Sequence, residues 1–535
     1  MLENINNIGY YVKTMNSKLS IVDLMVNKIG EGSIEYILEM HITDQGIKTE
    51  IKDYNRKVSA DALFYQAGNG FLGGGFRLDF DYENKIIRAC RFCEIEDSYE
   101  AIKSKIAKHM EEEKNNKGFV LFRINGKTPR ELFENKFIEK MYTTMYKKIN
   151  ETSICHICGA RSEGYNTAIY KFYTNDKEIY GNFVICRDCI SNILVAKDYI
   201  ENNLSSYWLG GNVMFLPSKY DENIAFIYET FNENGETTKL LNQLKDREEM
   251  VLDALGGIKS DTLTDIVFYE KEGEKSFNIY HQIQGVLPSR FKAIAENLIY
   301  YKLKSFYSIL EYVAAVKTGI DKTETTDKER MRVIESMFKG RKINRNLFFK
   351  RAMDVYKMHC MNDKHQYTML TINRIYNFLC KCGCLEKEWK VMQEYKNYIE
   401  LFEDNTDYFD SNEKKAWFLL GKSYKDMIRE LKKRETKKIQ EEENFEKDRT
   451  SLEKNFFFSR RFSFEDFIWF SNLLADKAVK YSVDKWYIED ILSKSKAYIA
   501  KKEGKLSQDE AKYLFYWGMH SYFKFDNEGT EGGEK

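Results

Sequence analysis

Two cysteine pairs, Cys155-His156-Ile157-Cys158 and Cys186-Arg187-Asp188-Cys189, are separated by the 27 residues 159–185 and decide the fold of the middle of this chain. A Cys-x-x-Cys pair places two thiolates on one side of a tight turn, and two such pairs supply the four ligands of a tetrahedral zinc ion. Four thiolates leave no open coordination position, so an ion bound here holds structure and performs no chemistry. The sequence therefore predicts a structural Zn²⁺ with the ligands Cys155, Cys158, Cys186 and Cys189.

The insert between the two pairs is longer than the usual spacing of a zinc ribbon. Residues 165–180 are rich in Tyr, Phe, Ile and Thr, a composition that favours strands, and we expect a β-hairpin standing on the metal. Two alternatives stay open at this point. His156 or Asp188 could replace one cysteine ligand, or the two pairs could be unrelated free-thiol motifs.

The composition indicates a folded, soluble protein of several domains. Of the 535 residues, 43% are hydrophobic, 15% aromatic and 31% charged, which excludes a disordered chain. Lys and Arg total 83 and so do Asp and Glu, so any basic surface must be local. Ten cysteines without disulfide-like density predict a cytoplasmic protein, and no apolar run reaches the length of a membrane span.

The densest glycine cluster reads Gly68-Asn69-Gly70-Phe71-Leu72-Gly73-Gly74-Gly75-Phe76-Arg77 and lies in a region of mixed strands and helices. It is not a P-loop, because Lys and Ser/Thr do not follow its spaced glycines. One interpretation is a flexible turn before a strand that begins at Phe76. The other is a loop whose bare backbone approaches a groove or a phosphate, with Asn69 and Gly70 at a base edge and Arg77 on a phosphate.

A third pair, Cys90-x-x-Cys93, has no matching partner pair. A second metal site with Cys380, Cys382 and Cys384 is one interpretation, and buried or surface thiols are the favoured one.

The chain turns almost wholly helical from about residue 288, because apolar residues recur three and four positions apart. Residues 339–351 carry six positive charges and no acid, a local electrostatic footprint for nucleic acid. A solvated helix end explains such a run equally well. The sequence Ser507-Gln508-Asp509-Glu510 is a capping box that predicts the start of a final helix. The candidate phosphate contacts in the basic run of residues 339–351 are Lys339, Arg341, Lys342 and Arg345.

Several segments resemble the large subunit of type I-B CRISPR Cascade surveillance complexes, and the resemblance extends from about residue 119 to residue 524. It is specific around the cysteine pairs and weak in residues 1–118. The segments that carry it are Cys155-x-x-Cys158, Phe172-Tyr173-Thr174-x-Asp176-Lys177, Asn182-Phe183-x-Ile185-Cys186-x-x-Cys189, Tyr199-Ile200-Glu201-x-Asn203-Leu204, Val286-Leu287-Pro288-Ser289-Arg290 and Ala416-Trp417-Phe418-Leu419-Leu420-Gly421.

The resemblance implies a protein that is not an enzyme. It implies binding to crRNA and target DNA, recognition of the PAM, help in R-loop formation and retention of the displaced strand. The implied protein partners are backbone, crRNA-processing and small subunits and a separate helicase-nuclease. It also implies a helical block that is translated separately from an internal start, for which Met392 is our choice, with Arg460 and Arg461 along the path of the displaced strand.

These patterns predict an α+β protein with a mixed N-terminal α/β region, a four-cysteine zinc-finger middle domain and a C-terminal helical bundle. Two other classes stay open: a metal-dependent nuclease, and a purely architectural zinc protein. The expected segments are 1–150 (N-terminal, near the PAM), 151–290 (zinc finger and hairpin), 291–400 (helical, with the basic run), 401–524 (bundle resembling the small subunit) and 525–535 (disordered tail).

Overall fold

The fold is described from a computed structural model of the chain. The structure describes residues 1–521 except 17–18, 28, 30–31, 68–69, 80, 114–116, 146, 167–182, 230, 234–235, 260, 273–275, 315–323, 362–366, 391–393, 436–459, 481–482, 484–485 and 502–505. The chain divides into two units. Unit 1 is Met1–Ser206, Gly211–Leu241 and Thr264–Gln284, and unit 2 is Tyr207–Gly210, Asn242–Leu263 and Gly285–Lys535.

Unit 1 begins with a four-stranded sheet. Its strands lie in the order β2 (Gly46–Asp53), β1 (Tyr36–Thr43), β6 (Gly118–Ile124) and β5 (Gly75–Arg77). Its central strand β6 reads Gly-Phe-Val-Leu-Phe-Arg-Ile and is buried over its first five residues, as expected of a strand covered on both faces. Strand β1 runs parallel to β6 and antiparallel to β2, and β5 is antiparallel to β6. The strands are β1 (Tyr36–Thr43), β2 (Gly46–Asp53), β3 (Tyr65–Ala67), β4 (Gly70–Leu72), β5 (Gly75–Arg77) and β6 (Gly118–Ile124).

The middle of unit 1 contains the hairpin β7–β8 and a sheet in which β10 lies beside β13 and β13 beside β14. These strands are β7 (Lys147–Ile154), β8 (Arg161–Asn166), β10 (Gly211–Pro217), β13 (Thr264–Glu272) and β14 (Ser276–Val286), with β11 (Phe231–Glu233) and β12 (Glu236–Thr238) forming a second small hairpin. The strand β9 (Ser205–Trp208) lies where the chain passes from unit 1 to unit 2.

Eight helices lie in the part of unit 1 that the structure describes. The long helix α7 lies against α1, where Ile5 and Ile8 are fully buried and Lys13 Nζ donates to Ser191 Oγ at 3.1 Å. This packing fixes the helix that carries the second cysteine pair. The helices are α1 (Leu2–Met15), α2 (Ile21–Met25), α3 (Val58–Asp61), α4 (Tyr82–Phe92), α5 (Tyr99–Glu113), α6 (Pro129–Met145), α7 (Arg187–Asn203) and α8 (Glu222–Glu229).

Unit 2 is built from helices in the part of it that the structure describes. Its final helix begins at the predicted cap, since Ser507 Oγ accepts a hydrogen bond from the Glu510 backbone N–H at 3.3 Å. The helices are α9 (Glu248–Gly256), α10 (Pro288–Tyr300), α11 (Phe306–Val313), α12 (Glu324–Lys339), α13 (Arg345–Met361), α14 (Thr368–Lys381), α15 (Tyr398–Asp404), α16 (Asn412–Glu435), α17 (Phe464–Lys480), α18 (Trp486–Ile499) and α19 (Gln508–His520).

The core of unit 2 joins α19 to parts of the chain that precede residue 392. Tyr513 is fully buried and donates to Asn373 Oδ1 on α14 at 2.6 Å. The rings of Trp389 and Trp517 have centroids 3.8 Å apart. A product beginning at Met392, a residue outside the described ones, would lack both partners. The predicted boundary at residue 400 therefore falls inside one packed unit, and separate translation stays a prediction.

The α+β fold class is confirmed, with the four cysteines clustered in the middle of the chain and a helical C-terminal region. The insert predicted as a hairpin lies almost wholly outside the described residues. The hairpin that the structure does show, β7–β8, precedes it and carries the first cysteine pair at its turn.

Candidate metal centre

The first cysteine pair lies in the turn of the β7–β8 hairpin. The backbone N–H of Cys155 donates to Ala160 O, and that of Gly159 donates to Cys155 O, both at 2.9 Å. Gly159 has φ +73°, and nothing lies within 4 Å of the position of a Cβ there. The left-handed glycine closes the turn and brings Cys155 and Cys158 to one side of it.

The second pair begins helix α7. Cys186 is the N-cap residue, and its sulfur accepts from the backbone N–H of Cys189 at 3.5 Å. The Cys186 N–H in turn donates to the Cys155 sulfur at 3.4 Å. Tyr165 and Ile185 exchange two backbone hydrogen bonds of 2.9 Å and hold the two pairs together. A helix N-terminus favours negative charge, which suits a thiolate.

The sulfur atoms of Cys155, Cys158, Cys186 and Cys189 all lie within 4.8 Å of one another. The Cys155–Cys189 sulfur distance is 3.8 Å and the Cys158–Cys186 distance is 3.7 Å. A tetrahedral ion about 2.3 Å from each sulfur sets its ligands about 3.8 Å apart, whereas a disulfide needs about 2.05 Å. The four cysteines therefore fit a tetrahedral metal ion.

The thiols have unequal pKa values. Burial raises the pKa of Cys155, yet hydrogen bonds from the backbone N–H groups of Cys158, Cys186 and Ile157 outweigh it and bring that pKa down to about 7. Burial raises the pKa of Cys186 to about 11 and raises that of Cys189 further. Four thiolates this close repel one another, and a cation between them offsets that repulsion.

The two further candidate ligands lie outside this cluster. His156 Nδ1 accepts a hydrogen bond from the Val184 backbone N–H at 3.1 Å, and its ring lies 5.4 Å from that of Phe183. Asp188 is exposed in the first turn of α7. The metal cluster found in this part of the described chain consists of the four cysteines alone.

Arg187, between the second pair of cysteines, ties the centre to α6. Its guanidinium donates to Glu139 Oε2 at 2.9 Å and to the Tyr165 hydroxyl at 2.8 Å, and it lies 5.0 Å from the centre of the Tyr142 ring. Glu163 accepts from Tyr165 at 2.6 Å and completes the network. These partners are spread over nearly 50 positions and follow no motif, so the sequence gives no signal for them.

A second group of candidate metal ligands, Glu39, His41 and Glu50, lies on the β1–β2 hairpin. The buried Glu39 carboxylate already accepts from Lys52 Nζ at 2.6 Å and from Arg123 Nε at 3.0 Å. Burial opposes its charge, but these two cations outweigh burial and lower the pKa of Glu39. The carboxylate is thus neutralised by side chains of the protein, which disfavours a cation site.

The glycine cluster is only partly described, since Asn69 lies outside the described residues. Gly70 opens the short strand β4, and Arg77 ends β5 with its Nε buried and without an acceptor in the described chain. Gly74 is buried, and a Cβ there would lie 2.5 Å from Pro129 Cγ and 2.6 Å from Cys93 Sγ. Its backbone therefore packs against the core, which excludes both a flexible turn and an open loop at this glycine.

Cys90 and Cys93 are buried thiols, as the sequence favoured, with 1% and 2% exposure. Burial raises the pKa of Cys90 to about 12. Cys382 and Cys384 are buried in unit 2.

The basic run between α12 and α13 does not form one surface. Arg345 is the clear departure from the prediction, because its guanidinium donates to the buried Glu510 at 2.6 Å and lies over the rings of Phe349 and Tyr408. The other three side chains are nearer to solvent but have partners: Lys339 Nζ reaches Gly285 O at 3.5 Å, Arg341 pairs with Glu335 at 2.7 Å and Lys342 pairs with Glu386 at 3.2 Å.

Arg460 and Arg461 are exposed before α17. The Arg460 guanidinium lies 4.5 Å from the centre of the Trp469 ring and pairs with Asp466 at 3.3 Å. These two neighbouring arginines are both accessible to solvent, and their contact with nucleic acid stays a prediction.

The fold and the centre together define a large α+β protein with four clustered cysteines in its middle that could hold a metal ion. Two family models match it: CRISPR-associated protein TM1802 (cas_TM1802) central domain over residues 152–286, and the C-terminal domain of the same family over residues 302–531. These stretches cover more than half of the chain, and the chain belongs to the TM1802 family of CRISPR-associated proteins. This agrees with the resemblance to the type I-B large subunit.

A search of curated proteins found no match to the chain. Among the described helices, none has the length and apolar character needed to cross a membrane.

Proposed function

We propose that this chain is the non-catalytic large subunit of a type I-B crRNA-guided DNA surveillance complex, acting in the cytoplasm. It recognises the PAM in the target duplex, assists R-loop formation and recruits a separate helicase-nuclease. The observation that carries the proposal is the family match, which includes both the four-cysteine centre and the helical unit. In such complexes guide pairing reads the sequence, while protein reads PAM, shape and phosphates.

The proposed metal is Zn²⁺, bound by the four cysteines. Four sulfur ligands leave no position for water or substrate, so the ion orders the β7–β8 turn and the start of α7. This supports a structural role and a protein without catalytic metal chemistry.

The proposed nucleic-acid contacts are the residues predicted from the sequence, apart from Arg345, and they include Arg460 and Arg461 along the path of the displaced strand. Asn69 and Gly70 are proposed to face the PAM duplex, and Arg77 is proposed to lie near the phosphate backbone of that DNA. Lys339, Arg341 and Lys342 are proposed phosphate contacts, while Arg345 is left out because its charge is neutralised in the core of unit 2. The proposed partners are crRNA and target DNA, the backbone, crRNA-processing and small subunits, and the helicase-nuclease.

The test is PAM-dependent binding by the assembled complex. The complex with and without this chain is incubated with a library of target duplexes that differ only beside the protospacer, and bound duplexes are sequenced. We expect enrichment of particular PAM sequences only when the chain is present, and Asn69→Ala to reduce discrimination by about 1–3 kcal/mol. Equal enrichment with and without the chain would refute PAM recognition.

A metal-dependent nuclease is the alternative class. Its metal site would be the Glu39, His41 and Glu50 cluster, although Lys52 and Arg123 already neutralise Glu39. Plasmid cleavage by the isolated chain with Mg²⁺ or Mn²⁺ distinguishes it, and we expect none. Cleavage that is lost in Glu50→Gln would establish the nuclease. An architectural protein would bind neither duplex nor single strand in isolation.

A further inference from the structure

The turn between α10 and α11 presents aromatic rings to solvent. Ile299 is 61% exposed, and Tyr300 and Tyr307 are each 59% exposed. Lys302 and Lys304 lie between these tyrosines and are exposed as well. We name these five residues the α10–α11 surface. No acidic residue occurs from 297 to 310, so the surface combines flat rings with positive charge.

The α10–α11 surface is held rigidly from beneath. Tyr301 and Phe306 are buried, and the Phe306 N–H donates to the buried Glu248 carboxylate at 2.6 Å. The N–H of Leu303 returns to Leu298 O at 3.0 Å, and Lys302 adopts φ +53°. Such a left-handed helix end with a return hydrogen bond fixes the turn, so the exposed rings are presented in a set arrangement.

The cations of this surface differ from those of the basic run. Among the described residues neither Lys302 nor Lys304 forms an ion pair, whereas Arg341 and Lys342 each have a glutamate partner. Arg330 of α12 adds a third cation: its guanidinium lies 5.9 Å from the centre of the Tyr307 ring, and its Nε is buried without an acceptor in the described chain. The positive charge here is therefore available to an external anion.

We propose that the α10–α11 surface binds single-stranded nucleic acid, with bases stacked on Tyr300 and Tyr307 and phosphates paired with Lys302 and Lys304. Stacking on exposed rings beside cations is how proteins hold single strands without reading sequence. A protein partner would need a larger apolar contact than Ile299 and two tyrosines, and it would leave the lysines unpaired. The inference rests on the proposed function, because a DNA-surveillance subunit meets both a displaced DNA strand and a guide RNA.

The test measures binding of fluorescent oligo-dT and oligo-rU to the purified full-length chain. The double variant Tyr300→Leu/Tyr307→Leu keeps apolar bulk and should weaken binding by about 5- to 150-fold per stacked base. Tyr300→Phe/Tyr307→Phe keeps the rings and should bind like the wild type. Tyr367→Leu, at a tyrosine in the same unit that is 68% exposed, is the matched control. Comparing dT with rU identifies which strand is preferred.

The lysines are tested by the salt dependence of the same binding. Lys302→Ala/Lys304→Ala should lower the slope of log affinity against log salt by about 0.7 for each lost phosphate contact, whereas Lys105→Ala on α5 should leave it unchanged. Wild-type affinity in the Tyr300→Leu/Tyr307→Leu double variant, or no binding of either oligonucleotide by the wild type, would overturn the proposal. PAM enrichment by the assembled complex carrying the same variants is scored separately, so loss of one activity is distinguished from loss of the other.

Discussion

The Arg345 guanidinium donates a 2.6 Å hydrogen bond to Glu510, 165 positions further along the chain. Both side chains are mostly enclosed, at 24% and 8% exposure, and Lys414 approaches the same carboxylate at 3.6 Å. The pair joins the first residue of α13 to the first turn of α19. A residue that the sequence grouped with a nucleic-acid surface thus belongs to the core of unit 2.

Replacing Arg345 by Ala should therefore destabilise unit 2. Removing one partner of a buried pair costs about 3 kcal/mol or more. The matched control is Arg341→Ala, whose side chain is 64% exposed and pairs with Glu335, and which should cost at most about 1 kcal/mol. Urea unfolding followed by tryptophan fluorescence measures both, because all six tryptophans lie in unit 2: Trp208, Trp389, Trp417, Trp469, Trp486 and Trp517. Equal losses from the two variants would contradict the assignment.

Replacing Cys186 by Ser should release the metal ion. The purified wild type should contain about one Zn²⁺ per chain by elemental analysis, and the variant should contain little. The variant should also be cleaved faster by protease between residues 147 and 203, because metal binding is coupled to folding of the site. Cys360→Ser, a half-buried cysteine outside the cluster, should keep its zinc. Iron in place of zinc, or zinc retained after all four ligands are changed to Ser, would be inconsistent with the proposed centre.

Gly74→Ala should lower the thermal stability of unit 1. The added Cβ would meet Pro129 and Cys93 at 2.5 and 2.6 Å, and such overpacking costs about 1–3 kcal/mol. Adding Cys93→Ala removes the sulfur and should restore part of the loss, a coupling that a double-mutant cycle measures by thermal melting. Strictly additive losses would show that the two residues do not press on each other.

The stability of unit 2 should depend on pH through Glu248. This carboxylate is 5% exposed and accepts from Trp208 Nε1 at 2.8 Å and from the Phe306 N–H. Burial raises its pKa from 4.5 to about 7, although the two hydrogen bonds oppose that shift. Between these values the folded state keeps a proton that the unfolded state has lost, so stability falls as pH rises.

The size of this effect is about 3 kcal/mol, from about 1.4 kcal/mol per pKa unit. Glu248→Gln stays neutral, so its stability relative to the wild type should increase from pH 5 to pH 8. Urea unfolding at both pH values measures the change. A difference between variant and wild type that is constant with pH would argue against a titrating Glu248.

A fragment beginning at Met392 should fold poorly. It would lack Trp389, which stacks on Trp517, and Asn373, which accepts from Tyr513. A fragment beginning at Arg341 retains both and serves as the comparison. Circular dichroism should show a cooperative melt for the longer fragment and a broad one, with dye binding, for the shorter. Equally cooperative melts would support the bundle as an independent product.

The sequence was sufficient where the pattern was local. The spacing of Cys155, Cys158, Cys186 and Cys189 predicted their cluster, because each pair makes its own turn. Ser507 likewise identified the start of the last helix. The capping box was only half right, because the Glu510 carboxylate pairs with Arg345.

The sequence was insufficient where distant parts of the chain meet. Arg345 looked like its neighbours Arg341 and Lys342, and only the position of Glu510 separates them. Strands β9 and β10 are adjacent in the sequence, and the chain turns between them at Leu209 and Gly210, both at positive φ. A leucine gives no signal for that backbone conformation, so the turn could not be identified from residue type.

The paired backbone hydrogen bonds between Tyr165 and Ile185 close a chain segment whose two ends are clamped at the metal centre. The entropy lost in closing such a segment grows only with the logarithm of its length, about 0.6 kcal/mol for each doubling. The stretch between Asn166 and Phe183 can therefore be lengthened or exchanged at small thermodynamic expense. A peptide tag inserted there should therefore leave the four sulfurs in place.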